Sequence, residues 1–190
     1  MYNNWYDLKS DCGTCRKCHL GETRTNLVFG VGNENAEVML IGEGPGEQED
    51  LQGEPFVGKS GQLLDKYLAA IELDRNKNVY IANIVKRRPP HNRDPKPEEQ
   101  DACISWLKEQ TRLIHPKIIV CVGRIAAQRL MNPNFRVTKQ HGEFINRNGF
   151  LMMGTFHPAA LLRNPSQKPD AFEDFLALRE KIKETCENTY

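Results

Sequence analysis

Hydrophobic and polar positions along this chain switch between two periods. Val38 to Ile41, Val79 to Val85 and Lys117 to Val122 are short, largely β-branched apolar runs. Runs of that length and composition read as buried strands. Gly61 to Ile71 places Leu63, Leu64, Tyr67, Leu68 and Ile71 at helical spacing, which predicts an amphipathic helix. Pro97 to Ile114 reads as a long helix whose Glu98 and Glu99 complement the positive end of its dipole. Gly123 to Leu130 and Asp170 to Cys186 read as further helices. Met1 to Ser10 reads as a short one, with Trp5, Tyr6 and Leu8 docking on the body. Val28-Phe29-Gly30 leads into an edge strand, and Phe144 to Asn148 pairs with Gly149 to Phe156 as a hairpin. Strands and helices alternate with short connections. The pattern predicts a three-layer α/β/α sandwich with a mainly parallel, four-stranded central sheet.

Composition adds limits rather than detail. The 190 residues are 39% hydrophobic and 27% charged, which suits one domain spanning residues 1–190 with a real core. The net charge of +1 means that a nucleic-acid partner needs a local basic patch. Lys86-Arg87-Arg88-Pro89-Pro90-His91-Asn92-Arg93 is such a patch, and its prolines forbid helix. No apolar stretch approaches a membrane span, and the first ten residues lack a secretory pattern. A cytoplasmic monomer is expected.

Three of the six cysteines fall within seven residues, as Cys12-Gly-Thr-Cys15-Arg-Lys-Cys18. Thiolates separated by two residues can converge on one metal centre, as in iron–sulfur proteins and zinc sites. A redox dithiol is a competing reading, though it prefers a strand–helix setting, and free structural cysteines are the plainest one.

In a parallel sheet the carboxyl ends of the strands share one rim, where ligands bind. The Gly/Pro-rich turn Gly42-Glu43-Gly44-Pro45-Gly46 falls there after the first buried run, followed by carboxylates from Glu47 to Asp50. Asn83, the Phe56 loop and His157 fall on the same rim. An asparagine amide offers one acceptor and two donors, which suits the imide edge of a pyrimidine. An aromatic ring offers a stacking face, and a histidine can donate to a leaving oxygen. Taken singly, each has a plainer explanation: a strand-end amide, a core phenylalanine, a structural histidine, a solvated basic loop. Their joint placement beside a basic loop describes a nucleobase pocket with phosphates nearby.

These stretches also carry a resemblance. Thr23 to Gly30, Ile41 to Asp50, Gly53 to Leu64, Asn83-Ile84-Val85-Lys86, Arg88-Pro89-Pro90, Asn92-Arg93 and Phe156 to Pro165 occur in order from about Cys15 to Pro165. In these the chain resembles the family 4, iron–sulfur uracil-DNA glycosylases of the uracil glycosylase superfamily. The resemblance implies a monofunctional DNA-repair hydrolase that flips uracil out of single- or double-stranded DNA and hydrolyses its N-glycosidic bond. It implies Glu43, Asn83 and His157 as catalytic residues, with Glu43, Gly44, Phe56, Asn83 and His157 binding the base. His157 would donate to uracil O2, Asn83 would read O4 and N3–H, and Phe56 would stack. Glu43 is the first candidate for orienting water or stabilising the sugar cation, and Glu49 the second. Lys86, Arg87 and Arg88 would meet DNA phosphates, and Leu161, Leu162 and Arg163 would form the loop that fills the vacated stack.

The chain departs from that family at the metal site. Cys15 and Cys18 match the family's N-terminal pair and Cys103 its helix cysteine, but Arg87 stands where the remaining cysteine belongs. Arginine stays protonated and cannot ligate iron. Cys12 is an additional thiol, so the expected ligand set for a structural 4Fe-4S cluster is Cys12, Cys15, Cys18 and Cys103, with Cys121 and Cys186 outside it. A three-cysteine cluster, zinc or an empty site are the other outcomes. Two further readings of the whole chain stand beside the glycosylase: a catalytically impaired DNA-binding relative and an iron–sulfur electron carrier. Intact Glu43, Asn83 and His157 argue against the first, and the large α/β body against the second.

Overall fold

The computed structural model describes all residues, Met1–Tyr190. Its strands are β1 (Val31–Gly32), β2 (Val38–Gly42), β3 (Val79–Asn83), β4 (Ile118–Val122), β5 (Phe144–Arg147) and β6 (Phe150–Thr155). They form one sheet in the order β1-β3-β2-β4-β6-β5. The inner four are parallel, as the apolar runs required, while β1 and β5 add antiparallel edges. Every residue of β2, β3 and β4 is buried. That explains why these strands read as continuous apolar runs instead of alternating ones.

The helices are α1 (Trp5–Thr14), α2 (Leu20–Thr23), α3 (Glu47–Gln52), α4 (Lys59–Ala70), α5 (Pro97–Ile114), α6 (Arg124–Leu130), α7 (Val137–Gln140), α8 (Pro158–Arg163) and α9 (Lys168–Thr185). Side chains of successive strand residues go to opposite faces. Met39, Ile41, Tyr80, Ala82 and Ile119 therefore pack with residues of α1, α5 and α6. Leu40, Val79, Ile81, Ile118 and Val120 pack with α4 and α9 on the other face. The result is the expected three layers. No helix is long and apolar enough to cross a membrane.

Several boundaries differ from the sequence expectation. The first helix starts four residues later than expected, at Trp5, because Asn4 caps it by accepting the Asp7 N–H at 2.9 Å. It also ends four residues later, at Thr14, which carries Cys12 onto the helix. Trp5 packs edge-on against Phe29 and Tyr80, and Leu8 is buried, but Tyr6 is 80% exposed and does not dock. The edge strand lies at Val31–Gly32, directly after Val28-Phe29-Gly30, which leads into it as expected. The second apolar run stops being a strand at Asn83, although Ile84 and Val85 still donate to the carbonyls of Gly42 and Glu43 at 2.9 and 3.1 Å.

One close approach sets the position of a site loop. A Cβ on Gly61 would lie 1.8 Å from the Phe56 carbonyl oxygen, so α4 meets the Phe56 loop backbone to backbone. Neither backbone has a flexible side chain that can give way. Gly61→Ala is expected to cost about 1–3 kcal/mol by overpacking. A guanidinium unfolding midpoint that stays at the parent value would refute this.

Candidate active site

The carboxyl ends of β2, β3, β4 and β6 open into one cavity of about 650 Å³. Glu43, Gly44, Phe56, Asn83, Phe156 and His157 line it, so the expected base-binding residues come together. Asp94, Arg124 and Arg163 line it as well.

The parallel register places Gly42 of β2 against Asn83 of β3. A Cβ on Gly42 would lie 2.5 Å from Asn83 Oδ1 and 2.5 Å from the Phe56 ring. The missing side chain is what lets an amide and an aromatic ring share this corner. Asn83 is only 2% exposed, and its Oδ1 has no hydrogen-bond partner in the protein. A buried acceptor left unpaired costs about 1–3 kcal/mol, so it marks a place where a ligand donor belongs. Its backbone carbonyl accepts from the buried Lys86 Nζ at 2.9 Å.

Phe56 has φ 55°, an unfavourable left-handed conformation for a bulky residue. Arg75 holds it there, donating to the Pro55 and Phe56 carbonyls at 2.9 and 2.6 Å. Glu49 completes the brace. Its carboxylate accepts from the N–H groups of Val57, Gly58 and Gly46 at 2.9, 2.9 and 3.1 Å. These bonds commit the carboxylate to holding the loop.

His157 caps the N-terminus of α8, and its Nδ1 accepts the Ala159 N–H at 3.1 Å. With Nδ1 an acceptor, the proton of the neutral ring resides on Nε2. Burial, assisted by the Arg163 charge, lowers the pKa to about 4. The ring packs beside Phe56 with centroids 5.7 Å apart. Glu43 is perturbed the opposite way: burial and the neighbouring Asp94 carboxylate raise its pKa to about 7, against the pull of Arg124 and Arg163.

Three expected DNA contacts are corrected by burial. Lys86 and Arg87 are 1% and 4% exposed, and Leu161 is 1% exposed in the core beneath α8. Buried side chains of this kind do not reach DNA phosphates or a base stack. Leu162, at 42% exposure, points outward instead, and Arg163 reaches the cavity. Arg88 is half-buried beside Glu47, with Nη1 3.8 Å from its carboxylate. Asp94 and Arg124 were missed because the cavity wall is assembled from loops far apart in sequence.

The cysteine-rich segment lies behind this pocket. Cys12 and Cys103 are buried, and Cys15 and Cys18 are half-buried. No three of the expected ligands form a ready metal-ion site. Arg87 donates to the Cys12 carbonyl at 3.3 Å and to the Cys15 carbonyl, while its Nε is buried without a partner. The Lys86 N–H donates to Cys103 Sγ at 3.2 Å. Two buried cations thus stand among thiols, hydrogen-bonded to carbonyls and to no carboxylate. Buried charges ordinarily need a counter-charge. Thiolates around a metal centre would supply one, so the donor set fits an anionic centre in charge.

Comparison with known proteins bears on this geometry. The family model described as the uracil DNA glycosylase superfamily matches residues 29–179. The chain is 44% identical over 188 residues to a type-4 uracil-DNA glycosylase of Archaeoglobus fulgidus, covering 95% of this chain and 92% of that one. It is 44% identical over 156 residues to the Thermotoga maritima type-4 enzyme, covering 81% of each. A type-5 uracil-DNA glycosylase of Pyrobaculum aerophilum is 32% identical over 146 residues, covering 68% of this chain and 64% of that one.

The histidine geometry carries its own test. Imidazole 15N spectra should show His157 as the neutral Nε2–H tautomer, unchanged from pH 8 down to about 5, because its pKa lies near 4. A titration centred at the ordinary histidine value would contradict the buried, capped geometry.

Proposed function

The chain belongs to the uracil DNA glycosylase superfamily, and from that premise we propose how its pocket works. It is a uracil-DNA glycosylase, a DNA-repair hydrolase acting on DNA that contains uracil. The observation that best supports the assignment below is the buried, unpartnered Oδ1 of Asn83 in a cavity shared with the Nε2–H side of His157.

The target base must leave the stack before these groups can reach it. Asn83 Oδ1 accepts the uracil N3–H while its amide N–H donates to O4. Cytosine presents an unprotonated N3 and an amino group instead, so the same amide mismatches it at both positions. Phe56, fixed by Arg75 and Glu49, stacks on the flipped ring. Gly44 lets the backbone approach the base.

Hydrolysis breaks the bond between C1′ and N1. The electron pair leaves with uracil, and the sugar becomes cationic. His157 donates Nε2–H toward O2, where negative charge develops. A neutral donor suits this task, since it stabilises the anion without having to lose a charge from a dry site. Glu43, once ionised, faces the cationic sugar and orients the water whose oxygen adds to C1′, and the proton that this water loses passes to the carboxylate. Arg88, Leu162 and Arg163 form the DNA-facing edge.

Cys12, Cys15, Cys18 and Cys103 are the residues proposed to hold a 4Fe-4S cluster, with Lys86 and Arg87 as buried counter-charges. When bound, such a cluster would supply a structural crosslink between the first helix and α5. Lys86 links that region to the pocket through the Asn83 carbonyl.

A uracil-containing oligonucleotide should be cleaved by alkali after incubation, and its thymine counterpart should not. His157→Ala and Asn83→Ala should each slow uracil release by about 10²–10³-fold, with DNA affinity changed only a few-fold. Parallel losses of affinity and release would remove the role assignment. Binding without uracil release by the iron-replete parent protein would identify a DNA-binding relative. Cys12→Ala should lose iron and sulfide as completely as Cys15→Ala does; full occupancy would take Cys12 out of the ligand set.

A further inference from the structure

One buried carboxylate outside the cavity has no part in the assignment above. Asp174 lies on α9 and is 3% exposed. Its Oδ2 accepts from Thr155 Oγ1 at 2.6 Å, and its Oδ1 lies 2.8 Å from His141 Nδ1. An ionised carboxylate can only accept, so Nδ1 donates here. A Cβ on Gly142 would lie 2.5 Å from the same Oδ1, so the chain after His141 closes over the carboxylate with backbone alone. A buried carboxylate is costly unless its oxygens are hydrogen-bonded, and both of these are. One acid on the last helix thus ties together two segments remote from it in the chain: the end of β6 at Thr155 and the turn after α7 at His141.

Both segments lead to the pocket. Thr155 and Phe156 are the two residues immediately before His157. The His141 ring packs on the Phe156 ring with centroids 4.7 Å apart, and Phe156 lines the cavity. The Gly142 N–H donates to the Gly154 carbonyl at 3.0 Å, which joins the His141 turn to β6 through the main chain as well. The Thr155 carbonyl accepts the Gly123 N–H at 2.8 Å. Gly123 has φ 97°, and a Cβ there would lie 2.8 Å from His157 Cβ, so this backbone lies directly against the histidine. The imidazole is therefore fixed from two directions. Ala159 holds its Nδ1 from α8, and the backbone that carries it is held through Thr155 and Phe156. Asp174, Thr155 and His141 do not themselves line the cavity.

We propose that Asp174 is a positioning residue for uracil release: by holding Thr155 and by keeping the His141 ring on Phe156, it fixes where His157 presents Nε2–H in the pocket. This role rests on the reading in which His157 donates to the departing uracil. Its consequence is specific. Loss of Asp174 acts on release through His157 and through no other group. Merely structural support of the pocket would instead slow release whether or not the imidazole is present.

The experiment is a double-mutant cycle on the full-length protein, with Asp174→Asn, His157→Ala and the two combined. Asp174→Asn keeps the shape of the side chain but leaves one acceptor oxygen, so Thr155 and His141 can no longer both donate to it. A second cycle uses His141→Gln, which removes the ring from Phe156 at a half-buried position and decides the matter if Asp174→Asn does not fold. Single-turnover uracil release and DNA affinity are measured for each protein. Asp174→Asn should slow release by about 10–10²-fold, as misplacement of a reacting group by a distant change does, with DNA affinity unchanged. His141→Gln should slow it in the same sense. In the His157→Ala background neither substitution should slow release further, because the group that they position is gone. Equal fold-losses with and without His157 overturn the positioning role, and so does release at the parent rate in the folded single variants. Parent-rate release by His157→Ala itself overturns instead the assignment of His157 to uracil release, and the positioning role falls with it.

Discussion

The site depends on one pairing: β2 beside β3, parallel, with Gly42 facing Asn83. A parallel pair cannot be closed by a tight hairpin, so 36 intervening residues, including α3 and α4, separate Gly42 from Val79 in the chain. The pairing buries both strands completely and thereby buries the amide at the end of β3. Gly42 then makes the space in which Asn83 and the Phe56 ring meet. A shift of one residue in register would point the amide at the opposite face of the sheet.

Around that corner, buried polar groups serve as braces more than as ligands. Glu49 gathers three backbone N–H groups from two loops, and Arg75 holds two consecutive carbonyls that flank a left-handed phenylalanine. Lys86 does the same for the Asn83 carbonyl, with its own N–H on Cys103 Sγ. The basic segment after β3 is thereby divided. Its first two cations face inward toward thiols and carbonyls, and Arg88 begins the outward-facing part.

Two titratable groups in the same cavity are driven in opposite senses, and both shifts favour the neutral form. Burial lowers the imidazole of His157 to about 4 and raises the carboxyl of Glu43 to about 7. At neutral pH the histidine is a neutral donor, while the carboxyl sits near its midpoint. In the range from about 4.5 to 7 the folded protein binds the Glu43 proton that the unfolded chain has released, so this group's contribution to stability diminishes as pH rises through 7. His157 acts oppositely between its folded value near 4 and its unfolded value of 6.5, where stability rises with pH.

The sequence by itself determined the layers, the inner parallel strands and the rim on which Glu43, Phe56, Asn83 and His157 would meet. Those features follow from local periodicity, which short apolar runs and helical spacings record directly. It also carried the family likeness, because the matching stretches are contiguous in the chain. Only the tertiary structure decided which way the side chains face. Lys86 and Arg87 read as basic-loop residues, yet packing against the cysteine segment turns them inward. Leu161 and Leu162 are adjacent and alike in sequence, and α8 buries one while exposing the other. Glu49 and Asp94 are both acidic residues in loops. Long-range contacts make one a backbone brace and bring the other beside Glu43, because burial and partner choice depend on residues far away in the chain.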